Sequence, residues 1–235
     1  MPRPLTLIAL FLVCVLFFLI RALPAAPFLQ KADGLMLAGQ PLALHQIHGR
    51  IWQGDARWRW GRWRGEANWS TDWRGLLPGL TLDVAGHGMH ARGWVAATPG
   101  SVRVNDLALQ VPLAEISRDM AAGQADGTVT AQVDYLRVYR EGRVEVEGTL
   151  RYGGGQVTWK DGGSSVPPLD GRLFTEHNVA WLKVTDPQQT LLLDASVEQC
   201  EAAVRVYRSW PRLLGVSQGG ADDDVVFQVS QPLGG

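Results

Sequence analysis

The sequence predicts an all-β protein: a membrane helix at the N-terminus, then a strongly curved antiparallel sheet, half-pipe or sandwich-like, with one short helix. Three observations carry this. An apolar run occupies 5–20, short segments of alternating polarity fill the rest, and Gly, Pro, Asn and Asp punctuate those segments at close intervals.

The apolar run, LTLIALFLVCVLFFLI, is sixteen residues long and is bracketed by Arg3 and Arg21. A helix of that length spans about 24 Å, and Ala22 and Leu23 extend it if Arg21 snorkels toward the headgroups. Leu5, Ile8, Leu12, Leu16 and Ile20 are the anchoring side chains of this reading. The competing reading is a cleaved signal peptide, since Ala22-Leu23-Pro24-Ala25-Ala26 resembles a small-residue cleavage site. The run exceeds the length of a usual signal core, so residues 1–27 are expected to be a transmembrane anchor, single-pass, and 28–235 an exported β domain. Orientation follows from the lack of a second span, because the flanking charges are balanced.

Beyond Pro27, strands are expected at 50–60, 66–73, 80–85, 89–96, 101–111, 127–138, 143–152, 156–159, 171–175, 179–184, 190–197, 202–208 and 225–230. Short connections between so many strands require antiparallel pairing, because parallel pairing needs crossovers of a dozen or more residues. Val144, Val146 and Leu150 alternate with Arg143, Glu145, Glu147 and Arg151, which buries one face and wets the other. Alternation does not distinguish a barrel, a sandwich and an open half-pipe; a strongly curved sheet is the expected form. One helix is expected at 113–121, with Pro112 in its first turn and Leu113, Ile116 and Met120 on one face.

Of ten Trp, six (Trp52, Trp58, Trp60, Trp63, Trp69, Trp73) lie between positions 52 and 73, interleaved with Arg57, Arg59, Arg62 and Arg64. In an extended chain Trp52, Gly54, Ala56, Trp58 and Trp60 share one face and Gln53, Asp55, Arg57 and Arg59 the other. The Trp row is then either sheet core with a solvated Arg row, a surface toward lipid headgroups or an apolar groove, or a protein-binding patch. Trp52, Arg57, Trp58, Arg59 and Trp60 are the candidate interaction residues.

The composition argues against other chemistry. A net charge of −1 gives no pull toward nucleic acid. Cys14 falls in the apolar run, so Cys200 has no disulfide partner within the β domain and is expected to be a small buried hydrophobe. His45 and His48, like His87 and His90, are three apart, a spacing that puts them on opposite faces of a regular strand; no metal or cofactor is expected. Asp222-Asp223-Asp224 lacks the alternating ligands of a calcium loop and reads as a solvated turn. No nucleophile elbow or phosphate loop is present, and the chain is not expected to be an enzyme.

The run Gly49-Arg50-Ile51-Trp52-Gln53-Gly54-Asp55-Ala56 resembles the Gly-x-aliphatic-Trp-x-Gly-x-Ala signature of the type II secretion system protein N family, with Gly49, Trp52, Gly54 and Ala56 as motif residues. The likeness continues through Trp69-Ser70-Thr71-Asp72-Trp73-Arg74-Gly75-Leu76-Leu77-Pro78-Gly79. It extends through Val104-Asn105-Asp106-Leu107, the short helix and Gly127-Thr128-Val129. It covers roughly 39–170; farther on, only the strand rhythm is similar, and Gln199-Cys200-Glu201 stands where the family would have a Gly-rich turn. The resemblance implies a non-catalytic inner-membrane component of the machinery that exports folded periplasmic proteins across the outer membrane, with other machinery subunits as partners. The curved-sheet look is also similar to AsmA-like envelope proteins. That likeness implies the alternative of lipid binding or lipid transfer through an apolar groove.

Overall fold

The structure is a computed structural model describing residues 23–29, 34–37, 40–118, 123–160, 162–216 and 219–232. The expected membrane segment, with Leu5, Ile8, Leu12, Leu16 and Ile20, lies outside the described residues. Among those described, no helix is long and apolar enough to cross a membrane. The chain forms two compact units, Met1–His87 and Gly88–Gly235.

Among its described residues the first unit holds one helical turn, α1 (Ala26–Leu29), and strands β1 (Leu35–Leu37), β2 (Gln40–Arg50), β3 (Gln53–Trp60), β4 (Trp63–Arg74) and β5 (Leu77–Gly86). These pair antiparallel in chain order. β2 was not expected, because its alternation breaks in the middle. The register of β2 on β3 shifts between His45 and His48, and Gln46 takes a φ of 49°. This bulge places Ile47 with Ala25, Ala56, Trp69, Ile51, Leu80 and Leu82 in the core of the unit. It also corrects the expected placement of the two histidines: His45 pairs with Arg57 and His48 with Asp55, so both lie on the polar face.

The second unit contains β6 (Met89–Thr98), β7 (Ser101–Pro112), α2 (Leu113–Ser117), β8 (Gln124–Ala125), β9 (Thr128–Tyr139), β10 (Val144–Tyr152), β11 (Gly155–Trp159), β12 (Gly162–Val166), β13 (Leu169–Glu176), β14 (Val179–Thr185), β15 (Leu191–Glu198), β16 (Glu201–Tyr207), α3 (Ser209–Leu213) and β17 (Val225–Pro232). Its main sheet runs β6-β7-β9-β10-β13-β14-β15-β16-β17, antiparallel throughout. β8, β11 and β12 leave it to form a small sheet in the order β12-β11-β8. No sheet closes on itself among the described residues, so the barrel form is not adopted. Among the described residues there are two short helices rather than one, α2 and α3, besides the turn α1, and residues 119–121 of the expected helix lie outside the described residues. The α3 segment Ser209-Trp210-Pro211-Arg212-Leu213 is too short for a helical period to be read in sequence.

The small sheet and the two helices cover one end of the apolar face. Val157 of β11, Val166 of β12, Leu113 of α2 and Trp210 and Leu213 of α3 pack with Tyr152, Leu169, Val184 and Leu192. The Ser117 hydroxyl donates to the Ala125 carbonyl at 2.8 Å and accepts the Ala125 N–H at 2.9 Å, which pins α2 to β8. Farther along the same sheet Val133, Val146 and Ala180 form a second core. Beyond it, Val102 and Val138, paired across β7 and β9, are exposed.

The polar faces are cross-linked by charge. Asp194, 2% exposed, accepts two 2.8 Å hydrogen bonds from Arg205 and a third from the Tyr207 hydroxyl. Glu145 accepts the hydroxyls of Tyr135 and Tyr139 at 2.9 to 3.0 Å, with Arg143 at 3.6 Å. In the Asp222-Asp223-Asp224 turn, Asp222 pairs with Arg212 and Asp224 with Arg208, so this segment ties down α3. Cys200 is exposed, contrary to expectation. It shares with Gln199 the hairpin turn between β15 and β16, where both residues take positive φ, as a primed two-residue turn requires, and its sulfur lies against Gly142.

Candidate interaction surface

The Trp- and Arg-rich segment becomes β3 and β4 and the hairpin between them. Trp58 stands opposite Gly65, and Trp69 opposite Gly54. Each indole lies over the glycine across the ladder. A Cβ on Gly54 would sit 2.5 Å from the Trp69 Cζ2, and one on Gly65 would sit 2.8 Å from the Trp58 Cζ2. Ala56 and Ala67 face each other between the two Trp-Gly rungs. Both rings are 9% exposed, and both indole N–H groups are satisfied: Trp69 donates to the Arg50 carbonyl at 3.0 Å and Trp58 to the Glu66 carbonyl at 3.3 Å.

The motif residues acquire roles from this arrangement. Gly49, at φ +90°, begins the hairpin from β2 into β3 in a conformation that disfavours a side chain. Residues 23–25 run beside that hairpin, with Ala25 donating to Gly49 and Ile51 donating to Leu23, and they close the end of the pocket holding Trp69. Gly54 gives Trp69 its space and Ala56, 3% exposed, packs next to it. The Trp52 carbonyl accepts both the N–H and the hydroxyl of Thr71, at 2.6 and 2.9 Å.

The candidate residues therefore divide. Trp58 is interior. Trp60 is half-buried and meets Trp63 edge-on at 5.6 Å between centroids, bracing the Gly61-Arg62 turn. Trp52 is 38% exposed. Arg57 and Arg59 lie on the polar face; Arg57 pairs with Glu66 at 3.4 Å, whereas Arg59 faces Arg64 on the next rung. Two guanidinium groups directly opposite are mutually unfavourable, and the rung is a place where an acidic partner gains most.

Two residues outside the candidate set are the most exposed apolar groups of this segment: Trp73 at 64% and Leu76 at 96%. Trp73 lies two residues beyond Thr71, on the Trp69 side of β4, and Leu76 occupies the turn into β5. In sequence Trp73 continues the same alternation as the buried Trp69. What exposes it is the end of the covering core, which alternation does not record.

Comparison with curated proteins and with solved structures finds no match. The family model of the type II secretion system (T2SS) protein N matches residues 40–206, from the first residue of β2 to the penultimate residue of β16. That match spans well over half of the chain and includes the hairpin that carries Gly49, Trp52, Gly54 and Ala56; the chain belongs to the type II secretion system protein N family.

Proposed function

We propose that this chain is a non-catalytic subunit of the type II secretion machinery. It is held in the inner membrane by residues 1–27, presents its β units to the periplasm, and assists export of folded proteins across the outer membrane by contact with other subunits. The observation that carries the reading is the family match over 40–206. Two contact surfaces are proposed within the first unit: Trp52, Trp73 and Leu76, which leave apolar area open at one end of the β3–β4 ladder, and the Arg59–Arg64 rung on the polar face near its other end. Trp and Arg are the side chains that most often dominate protein interfaces, so this composition suits a subunit contact.

The test is secretion of a reporter exoprotein by a strain lacking the chain, with fractionation of the tagged protein and lipid extraction from the purified chain alongside. Reporter retained in the periplasm, restored by the wild-type chain, with the protein in the inner-membrane fraction, is the expected result. Normal secretion together with stoichiometric phospholipid on the purified chain would overturn it.

A further inference from the structure

The last strand of the second unit is unlike the others. β17 pairs with β16 along its length, and among the described residues no strand pairs with its other edge. All eight of its residues are exposed, including Val225 at 45%, Val226 at 42%, Phe227 at 58% and Val229 at 48%. Free edges are ordinarily blunted by Lys or other charges, by proline within the strand, by bulges or by shortness. β17 reads VVFQVSQP: no charged residue and proline only at its final position, with a single bulge, at Val226, near its start, so that the stretch from Phe227 to Gln231 is a regular, uncharged edge.

We propose that β17 is a self-association edge, at which two copies of this chain join antiparallel about a two-fold axis through Gln228. The sequence of the strand selects the occupant. An uncharged edge alternating apolar and amide or hydroxyl side chains is best matched by an uncharged strand of the same pattern, and β17 meets that description itself. Antiparallel pairing centred on Gln228 sets Phe227 against Val229, with no like charges opposed, and leaves the bulged Val226 across from Ser230 at the end of the regular ladder. Phe227 and Val229 stand across from Val206 and Val204 on β16. The two-fold therefore continues one apolar row from β16 of one copy to β16 of the other. Such an interface is isologous and closes at two copies. An eight-residue ladder is smaller than a standard stable interface, so the dimer forms and dissociates with concentration. This inference is independent of the secretion reading.

The test uses the full-length chain in detergent, with Cys14→Ser and Cys200→Ser as background. Light scattering across a concentration series is expected to show a monomer–dimer equilibrium. Under mild oxidation Gln228→Cys is expected to form a disulfide-linked dimer, because residues opposite each other in a ladder have Cα separations that a disulfide spans. Val226→Cys, which the register places opposite Ser230, is expected to stay monomeric on the gel. Val229→Lys should weaken association about tenfold or more. Adding Phe227→Glu should restore it, since each Lys then meets a Glu of the other copy. A chain monomeric at all concentrations, equal cross-linking at 226 and 228, or a dimer indifferent to Val229→Lys would each overturn the proposal. Binding of phospholipid vesicles through β17 without dimerisation would do the same.

Discussion

Trp69 and Gly54 form one rung of the β3–β4 ladder, and the indole occupies the volume a side chain on Gly54 would need. The same relation recurs, with the strands exchanged, between Trp58 and Gly65. The two rings thus come from opposite strands and lie on either side of the Ala56–Ala67 rung. Gly54 and Gly65 are in this light the two positions that seat an indole.

Gly54→Ala is expected to destabilise the first unit by about 1–3 kcal/mol through overpacking against Trp69. Trp69→Ala is expected to cost about 3–5 kcal/mol. The added methyl meets both Trp69 and the His48 carbonyl, and only the first contact is relieved in a Trp69→Leu background, so the Gly54→Ala effect should shrink there in part. Chemical denaturation of the four chains of this cycle measures the coupling.

Removing Arg205 should be costly for the second unit. Asp194 is 2% exposed and depends on Arg205 and Tyr207 for its hydrogen bonds. Arg205→Met is expected to lower stability by about 3 kcal/mol, since it strands a buried carboxylate. Asp194→Asn in addition should recover part of the loss, because a neutral amide suffers less from the missing cation. Thermal unfolding of the single and double variants checks the order.

Glu145 predicts a response to acid. Burial disfavours its charged form, but the hydroxyls of Tyr139 and Tyr135 and the charges of Arg143 and Arg137 outweigh burial and hold its pKa below the usual value of 4.5. A group with a depressed folded-state pKa contributes stability above its unfolded pKa and loses it as pH falls through the folded value. Glu145→Gln should therefore reduce stability at pH 7 and flatten the decline below about pH 4.5, with little difference remaining at pH 2. Urea midpoints measured across that range test the sign.

Replacing Trp73 and Leu76 with Ser, or Arg59 and Arg64 with Glu, is expected to impair secretion of a reporter exoprotein while leaving unfolding midpoints within about 0.5 kcal/mol of wild type, as suits exposed positions. Trp58→Ser should instead lower stability and protein level together. Secretion assays paired with immunoblots separate the two patterns.

Much of the fold was legible because β structure writes its period into the chain. The strands at 89–96, 101–111 and 179–184 were anticipated to within two residues at each end, since turn residues (Gly88, Pro99-Gly100, Pro112, Asn178, Asp186-Pro187) delimit them. β2 escaped because the bulge at Gln46 and Ile47 breaks its phase. β12, Gly162-Gly163-Ser164-Ser165-Val166, has no alternation to read, and it is a strand only because β11 supplies a partner. Among the site residues, the shared face of Trp52, Gly54, Ala56, Trp58 and Trp60 followed from a period of two. Which of those indoles are covered did not, because cover comes from residues 23–25 and from β5, distant in sequence.

Within the second unit the order of pairing nearly follows the order of synthesis, departing from it only where β8 and the β11–β12 hairpin are set aside for the small sheet. Each new strand of the main sheet can zip onto the edge finished just before it, at the cost of closing only a short loop. A chain delivered N-terminus first can build this sheet as it arrives, without waiting for its end. Growth of that kind has a front, and among the described strands the last front is β17.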